Sequence, residues 1–160
     1  MADAATIPAV TAESKDVPVR GTWLSRVVWL FLFAPPAAVF YTAATLTPSL
    51  EGHGTHTQLG LPPCGFLVMT GLPCPGCGLT TCFSHMVRGE FLSATAANPF
   101  GVMLFLVSTA CMVTAFIGMI RALPVLETLD RLKADKWAML LAASSLTVWL
   151  VKVVTLTSGL

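Results

Sequence analysis

The sequence reads as an all-α integral membrane protein with three transmembrane helices, plus a short interfacial or re-entrant helix in the first extramembrane loop. Three observations carry this. Of 160 residues, 55% are apolar and only 11% are charged. A soluble domain has roughly 25% charged residues, so this chain cannot cover a water-facing surface with charge. The mean hydropathy of +0.78 agrees. Lastly, stretches of about 20 apolar residues, the length needed to cross a hydrocarbon core of ~30 Å, recur along the chain.

Residues 1–22 are small and polar without a periodic apolar face, and are expected to form a flexible cytoplasmic tail. The single membrane domain then runs over 23–157. Its first span, WLSRVVWLFLFAPPAAVFYTAAT, covers about 23–45, with Trp23 and Arg26 at its start and Tyr41 near its exit. Pro35 and Pro36 remove backbone donors inside it, which neighbouring helices can tolerate in a membrane, and a kink is expected. The run is too long, and its polar lead too extended, for a cleaved signal peptide, so the span is expected to be retained.

A loop rich in Pro, Gly, His and Thr follows, and the cysteine stretch occupies the rest of 47–98. Asn98-Pro99 is a helix start: Asn caps, and Pro at the first turn lacks an N–H that would have no partner there. The second span covers about 100–120 without a charge. Ser108, Cys111, Ala115 and Gly118 recur along one face, the small-residue stripe on which membrane helices pack closely. Leu123 to Lys133 alternates leucines with charged residues, as expected of a helix lying on a membrane surface. The third span covers about 137–156, with Ala142 and Ser145 as close-packing positions and Lys152 near enough to its end to snorkel.

Basic residues set the expected orientation. Lys15, Arg20 and Arg26 flank the first span; Arg121, Arg131, Lys133 and Lys136 lie between the second and third; the long intervening loop has Arg88 alone. The positive-inside rule then puts the amino terminus in the cytoplasm, and the cysteine loop and carboxyl terminus outside, where a disulfide persists. The net charge of +1, with no basic patch, argues against a nucleic-acid partner.

The candidate chemistry sits in Cys64 to Asn98, which holds four of the five cysteines. Cys74 and Cys77 form a CxxC pair in a Pro/Gly turn that opens a short helix ending near Gly89. A helix N-terminus lowers thiol pKa, so a reactive thiolate is expected at this pair. Along that helix Cys77, Thr81, Ser84, His85 and Arg88 share one stripe, while Cys82 lies on the apolar face as filler. Three readings stay open. Cys74 and Cys77 can form a structural disulfide, with Cys64 as a third partner. Cys64, Cys74, Cys77 and His85 can hold zinc or another transition metal, with His53 or His56 as other fourth ligands. The pair can also exchange thiol for disulfide, although no thioredoxin-like βαβ pattern surrounds it. His53 and His56 otherwise read as solvated loop residues.

The run CGFLVMTGLPCPGCGLTTCFSHMVRGEFLSATAANPFG resembles the signature of a bacterial family of small membrane proteins catalogued as domain of unknown function, family 2752. That pattern has a first Cys, an apolar run, TG, CPxCG, Thr-Arg, a short helix, RG, and a later NP or HP. Cys64, Thr70-Gly71, Cys74-Pro75, Cys77-Gly78, Thr80, Arg88-Gly89 and Asn98-Pro99 match it. Thr81 stands where the family usually has Arg, and Cys82 is additional. The resemblance implies a bacterial inner-membrane protein and brings no reaction with it.

The favoured expectation is a non-catalytic subunit or scaffold of a larger membrane complex, with lipid and other membrane proteins as partners and a disulfide closing the cysteine loop. The alternatives are a metal-binding or thiol–disulfide redox membrane protein, and a channel or carrier component built on a re-entrant loop.

Overall fold

The computed structural model describes residues 22–158; all of the expected tail except Thr22 lies outside the described residues. Among the described residues the chain is all-helical, without strands. It comprises α1 (Trp23–Thr45), a 3-10 turn (Thr55–Leu59), α2 (Gly65–Thr70), α3 (Leu79–Met86), α4 (Phe91–Ala97), α5 (Pro99–Arg121), α6 (Val125–Arg131) and α7 (Ala134–Thr157). Three of these, α1, α5 and α7, are long and apolar enough to cross a membrane. At 23 or 24 residues each they reach roughly 35 Å at ~1.5 Å per residue, more than a ~30 Å hydrocarbon core requires. Helix α1 runs unbroken through Pro35 and Pro36.

The central pairing is α1 against α5. Trp29 is almost fully buried and lies on Gly118: a Cβ at Gly118 would come within 2.5 Å of the indole Cε2. The indole Nε1 donates to the Leu123 carbonyl at 2.9 Å, so the buried ring's polar atom is satisfied. Phe33 meets Phe116 at 6.1 Å between centroids, and Phe40 meets Phe105 at 4.5 Å. Phe83 of α3 packs edge-on against both Phe40 and Phe105, seating the short helix against the pair.

Close approach along α5 is narrower than the small-residue stripe suggests. Ala115 and Gly118 are buried, Ser108 is half-buried and Cys111 is exposed. Gly101, one turn into α5, provides a second close point: a Cβ there would lie 2.8 Å from the Cys82 sulfur. Cys82 sits with Met86, Ala94 and Ala97 in a small apolar cluster, with Val102 and Phe105 against it. Helix α4, which the sequence reading passed over, closes this cluster.

Arg88 does more than complement its own helix. Its guanidinium donates to Ser84 O at 2.6 Å, and also to Leu46 O at 2.6 Å, Ala44 O at 3.2 Å and Ala43 O at 3.5 Å. The last carbonyls of α1, which have no partners within their own helix, thus receive a charged donor from α3.

Helix α7 has no buried residue, and Ala142, expected at a close contact, is exposed. Half-buried Leu141, Ser144, Ser145, Val148, Trp149 and Lys152 fall on one stripe, and the exposed, mostly apolar residues opposite suit lipid as solvent. Two polar contacts tie it to the cysteine stretch: Trp149 Nε1 donates to Pro73 O at 2.9 Å, and Lys152 Nζ to Ala97 O at 2.7 Å. Lys152 therefore does not reach past the helix end towards water; a carbonyl of α4 holds it. The amphipathic segment forms α6, with an exposed Glu127–Arg131 pair at i,i+4.

Gly118→Leu would force the indole of Trp29 aside, an overpacking cost of about 1–3 kcal/mol. Arg88→Met would remove charge-assisted hydrogen bonds worth about 1.5–3 kcal/mol. Both variants are expected to lower the thermal unfolding midpoint of the detergent-solubilised protein, whereas Cys111→Ser, at an exposed position, should leave it unchanged.

Candidate metal centre

Two segments, the start of α2 and the turn from Cys74 to Gly78, converge on one point. Cys64 follows Pro62-Pro63 and is the N-cap residue of α2. Cys74 opens the turn that Pro75 and Gly76 tighten, with the Cys77 amide donating to Cys74 O at 3.0 Å. Cys77 stands just before Gly78, which has φ +85° and is the N-cap of α3. A Cβ on Gly78 would meet Gly52 O at 2.7 Å and Ala97 O at 2.8 Å, so only glycine suits both the left-handed backbone and the approach.

Asn98 locks this turn to the second span. Its side-chain oxygen accepts from Gly101 N at 3.1 Å, the cap expected from the sequence, while its amide nitrogen donates to Cys77 O at 3.0 Å. From the other side, the Thr55 and Thr81 hydroxyls bond at 2.8 Å, both buried, and Thr55 accepts from Ser49 N at 3.0 Å. That pair brings the 3-10 turn, which carries His56, over the start of α3. Thr81, the departure from the family pattern, thus has a defined local partner.

The sulfurs of Cys64, Cys74 and Cys77 all lie within 4.8 Å of one another, and this cluster could hold a metal. The Cys74 and Cys77 sulfurs are 3.5 Å apart. All five cysteines are free thiols, and a disulfide needs about 2.05 Å, so the expected staple is not formed. The three thiols line a cavity of about 720 Å³, with His53, His56 and Glu51 also on its wall. Cys77 is buried; Cys64 and Cys74 are half-buried.

The thiols are not equivalent. The Leu67 amide, facing the Cys64 sulfur at the start of α2, and next the Cys74 thiol lower the Cys64 pKa to about 7, against the effect of burial. Burial pushes Cys77 up to about 12, and the neighbouring Cys74 thiol adds to this. The expectation that the CxxC pair carries the lowered thiolate is therefore corrected for Cys77. It precedes Gly78 and lies outside the first turn of α3, in a site where loss of water outweighs any benefit from the helix end. Cys64, from a separate segment, is the residue poised to ionise.

His85 lies outside the thiol group. Its Nδ1 pairs with Glu90 Oε2 at 2.5 Å at the far end of α3. Cys82 is fully enclosed in the apolar cluster; burial pushes its pKa up to about 11, with the charge of Lys152 opposing. What the sequence reading missed is the supporting shell. It saw Asn98 only as a cap and Lys152 only as a snorkelling side chain. The lone charge between Trp137 and Thr157 was the signal for the latter.

Residues 64–112 match the family described as Protein of unknown function (DUF2752). The match begins at the first cysteine of the cluster, takes in Cys74, Cys77 and Asn98, and ends half-way along α5, supporting the resemblance read from the motif. No curated protein and no solved structure matches the chain.

Asn98→Leu keeps the approximate volume but strands two buried backbone groups, Cys77 O and Gly101 N, at about 1–3 kcal/mol each. A lower thermal midpoint and faster alkylation of Cys77 in the reduced protein are expected. Unchanged alkylation would show that the amide does not hold the turn.

Proposed function

We propose that this multi-pass membrane protein holds one thiophilic metal ion, zinc or another divalent transition metal, through Cys64, Cys74 and Cys77, with His53 or His56 completing four-coordination. One observation carries the reading: three sulfurs, two from the Cys74–Cys77 turn and one from the start of α2, lie within 4.8 Å, with one edge at 3.5 Å. A tetrahedral ion with Zn–S of about 2.3 Å would set its thiolates roughly 3.8 Å apart, close to this spacing and far from a covalent S–S distance. A disulfide would use two of the three thiols and leave the third beside it. His53 and His56 line the same cavity and supply the softer nitrogen that such ions accept.

Metal binding pins a loop of short helices to the α1–α5 pair and suits a non-catalytic scaffold within a larger membrane assembly. The uncovered face of α7 supports that role, since it leaves a helix free for lipid or partner spans. The distribution of basic residues supports a cytoplasmic amino terminus with the cysteine loop on the opposite side, in the bacterial inner membrane that the family resemblance implies.

A second reading has its own support. The lowered pKa of Cys64 beside the Cys74–Cys77 pair is what a thiolate attacking a disulfide would require. Metal analysis of the purified protein, with thiol counting before and after addition of reductant, separates the two. The metal reading expects one ion per chain, lost in Cys64→Ser, Cys74→Ser and Cys77→Ser and retained in His85→Ala. A metal-free protein whose Cys74 and Cys77 become accessible only after reduction would replace it with the redox reading. Impermeant thiol reagents on intact, reduced, chelator-treated cells should label Cys64; labelling only after lysis would reverse the proposed sidedness.

A further inference from the structure

Between Trp137 and Thr157 the third span carries a single charged residue, Lys152. Its flexible stem could carry the ammonium to the helix end and water. Instead the side chain turns inward, half-buried, and donates to Ala97 O at 2.7 Å. That carbonyl is the one against which Gly78 is packed, 2.8 Å from where a Cβ would stand. The next residue, Asn98, holds the Cys77 carbonyl. Lys152 and Cys77 also line one cavity of about 390 Å³. The ammonium thus lies beside the turn that delivers the buried thiol of the cluster.

Among the described residues its charge has no acidic partner within ion-pair distance. Among the described residues the ion pairs are His85–Glu90 and Glu127–Arg131, and Arg88 is occupied by the carbonyls at the end of α1. Glu51, which borders the same cavity, is exposed and not within ion-pair distance. A carbonyl satisfies one of the ammonium's donors but none of its charge.

A divalent ion that displaces the protons of three thiols leaves a site of charge −1, and an unbalanced charge is costly wherever water is scarce. We propose that Lys152 is the counter-ion of the metal centre, a positioning residue whose single positive charge brings the three thiolates and a divalent cation to neutrality at the membrane boundary. This deepens the metal reading and rests on it. It also explains why a span without buried residues sends its one charge towards the cysteine stretch.

The test is Co2+ titration of the reduced, detergent-purified full chain, followed through the thiolate-to-cobalt charge-transfer band, for the wild type and Lys152→Arg, Lys152→Gln and Lys152→Met. Gln keeps a donor for Ala97 O but removes the charge; Arg keeps both. Gln and Met are expected to weaken Co2+ binding by about 10-fold or more, the usual range for an outer-shell partner of a metal. They should also lower the band per bound cobalt by about one third, as one thiol fails to ionise, while Arg stays near the wild type. A merely structural role would lower affinity without changing the number of sulfurs bound. Equal affinity and equal band intensity in the Gln and Met variants would overturn the counter-ion role while leaving the metal reading intact. A wild type that takes up no Co2+ would overturn both.

Discussion

The approach of three backbone segments at Gly78 is the constraint on which the rest of the site depends. The carbonyls of Gly52 and Ala97 come close enough to exclude any side chain there. The loop after α1, the end of α4 and the start of α3 can therefore meet at one residue. Cys77 precedes that point, Asn98 follows Ala97, and the loop bearing His53 follows Gly52. A methyl group at Gly78 would separate all three. Local strain is low because a left-handed φ suits glycine, and the orphan groups nearby are absorbed by the Asn98 side chain.

Around this point the molecule satisfies polar groups in an unusually apolar chain by lending charged and aromatic donors across helices. Arg88 serves the end of α1, Trp29 serves the chain just beyond α5, and Trp149 and Lys152 of α7 serve the cysteine stretch. In lipid, helix association has little hydrophobic driving force, so such contacts together with small-residue packing determine which helices adjoin. The α1–α5 pair uses close packing of an indole on a glycine. Helix α7 packs through a stripe of half-buried side chains and adds two hydrogen bonds, both directed to the segment that carries the thiols.

The thiols illustrate why chain proximity is a weak guide to reactivity. Cys74 and Cys77 are the conspicuous pair, yet burial raises Cys77, whereas Cys64, ten residues before Cys74 in the chain, has its pKa lowered by an amide at the start of α2. Desolvation and local amide dipoles act in opposite directions within one cluster of sulfurs.

The presence of three long apolar helices, the cap at Asn98-Pro99, the turn between Cys74 and Gly78 and the cysteines worth attention were legible from residue order, although α7 starts at Ala134, a turn before the expected span. Each depends on local properties: apolar length, a side chain that caps its own helix, backbone angles that only glycine or proline favours. Folding alone decided that Cys64 joins Cys74 and Cys77 while His85 turns to Glu90, that Ala115 and Gly118 meet Trp29 while Cys111 stays exposed, and that Arg88 and Lys152 reach carbonyls on other helices. These are contacts between segments distant in the chain. Their partners are set by which helix faces come together, and periodicity within one helix carries no record of that.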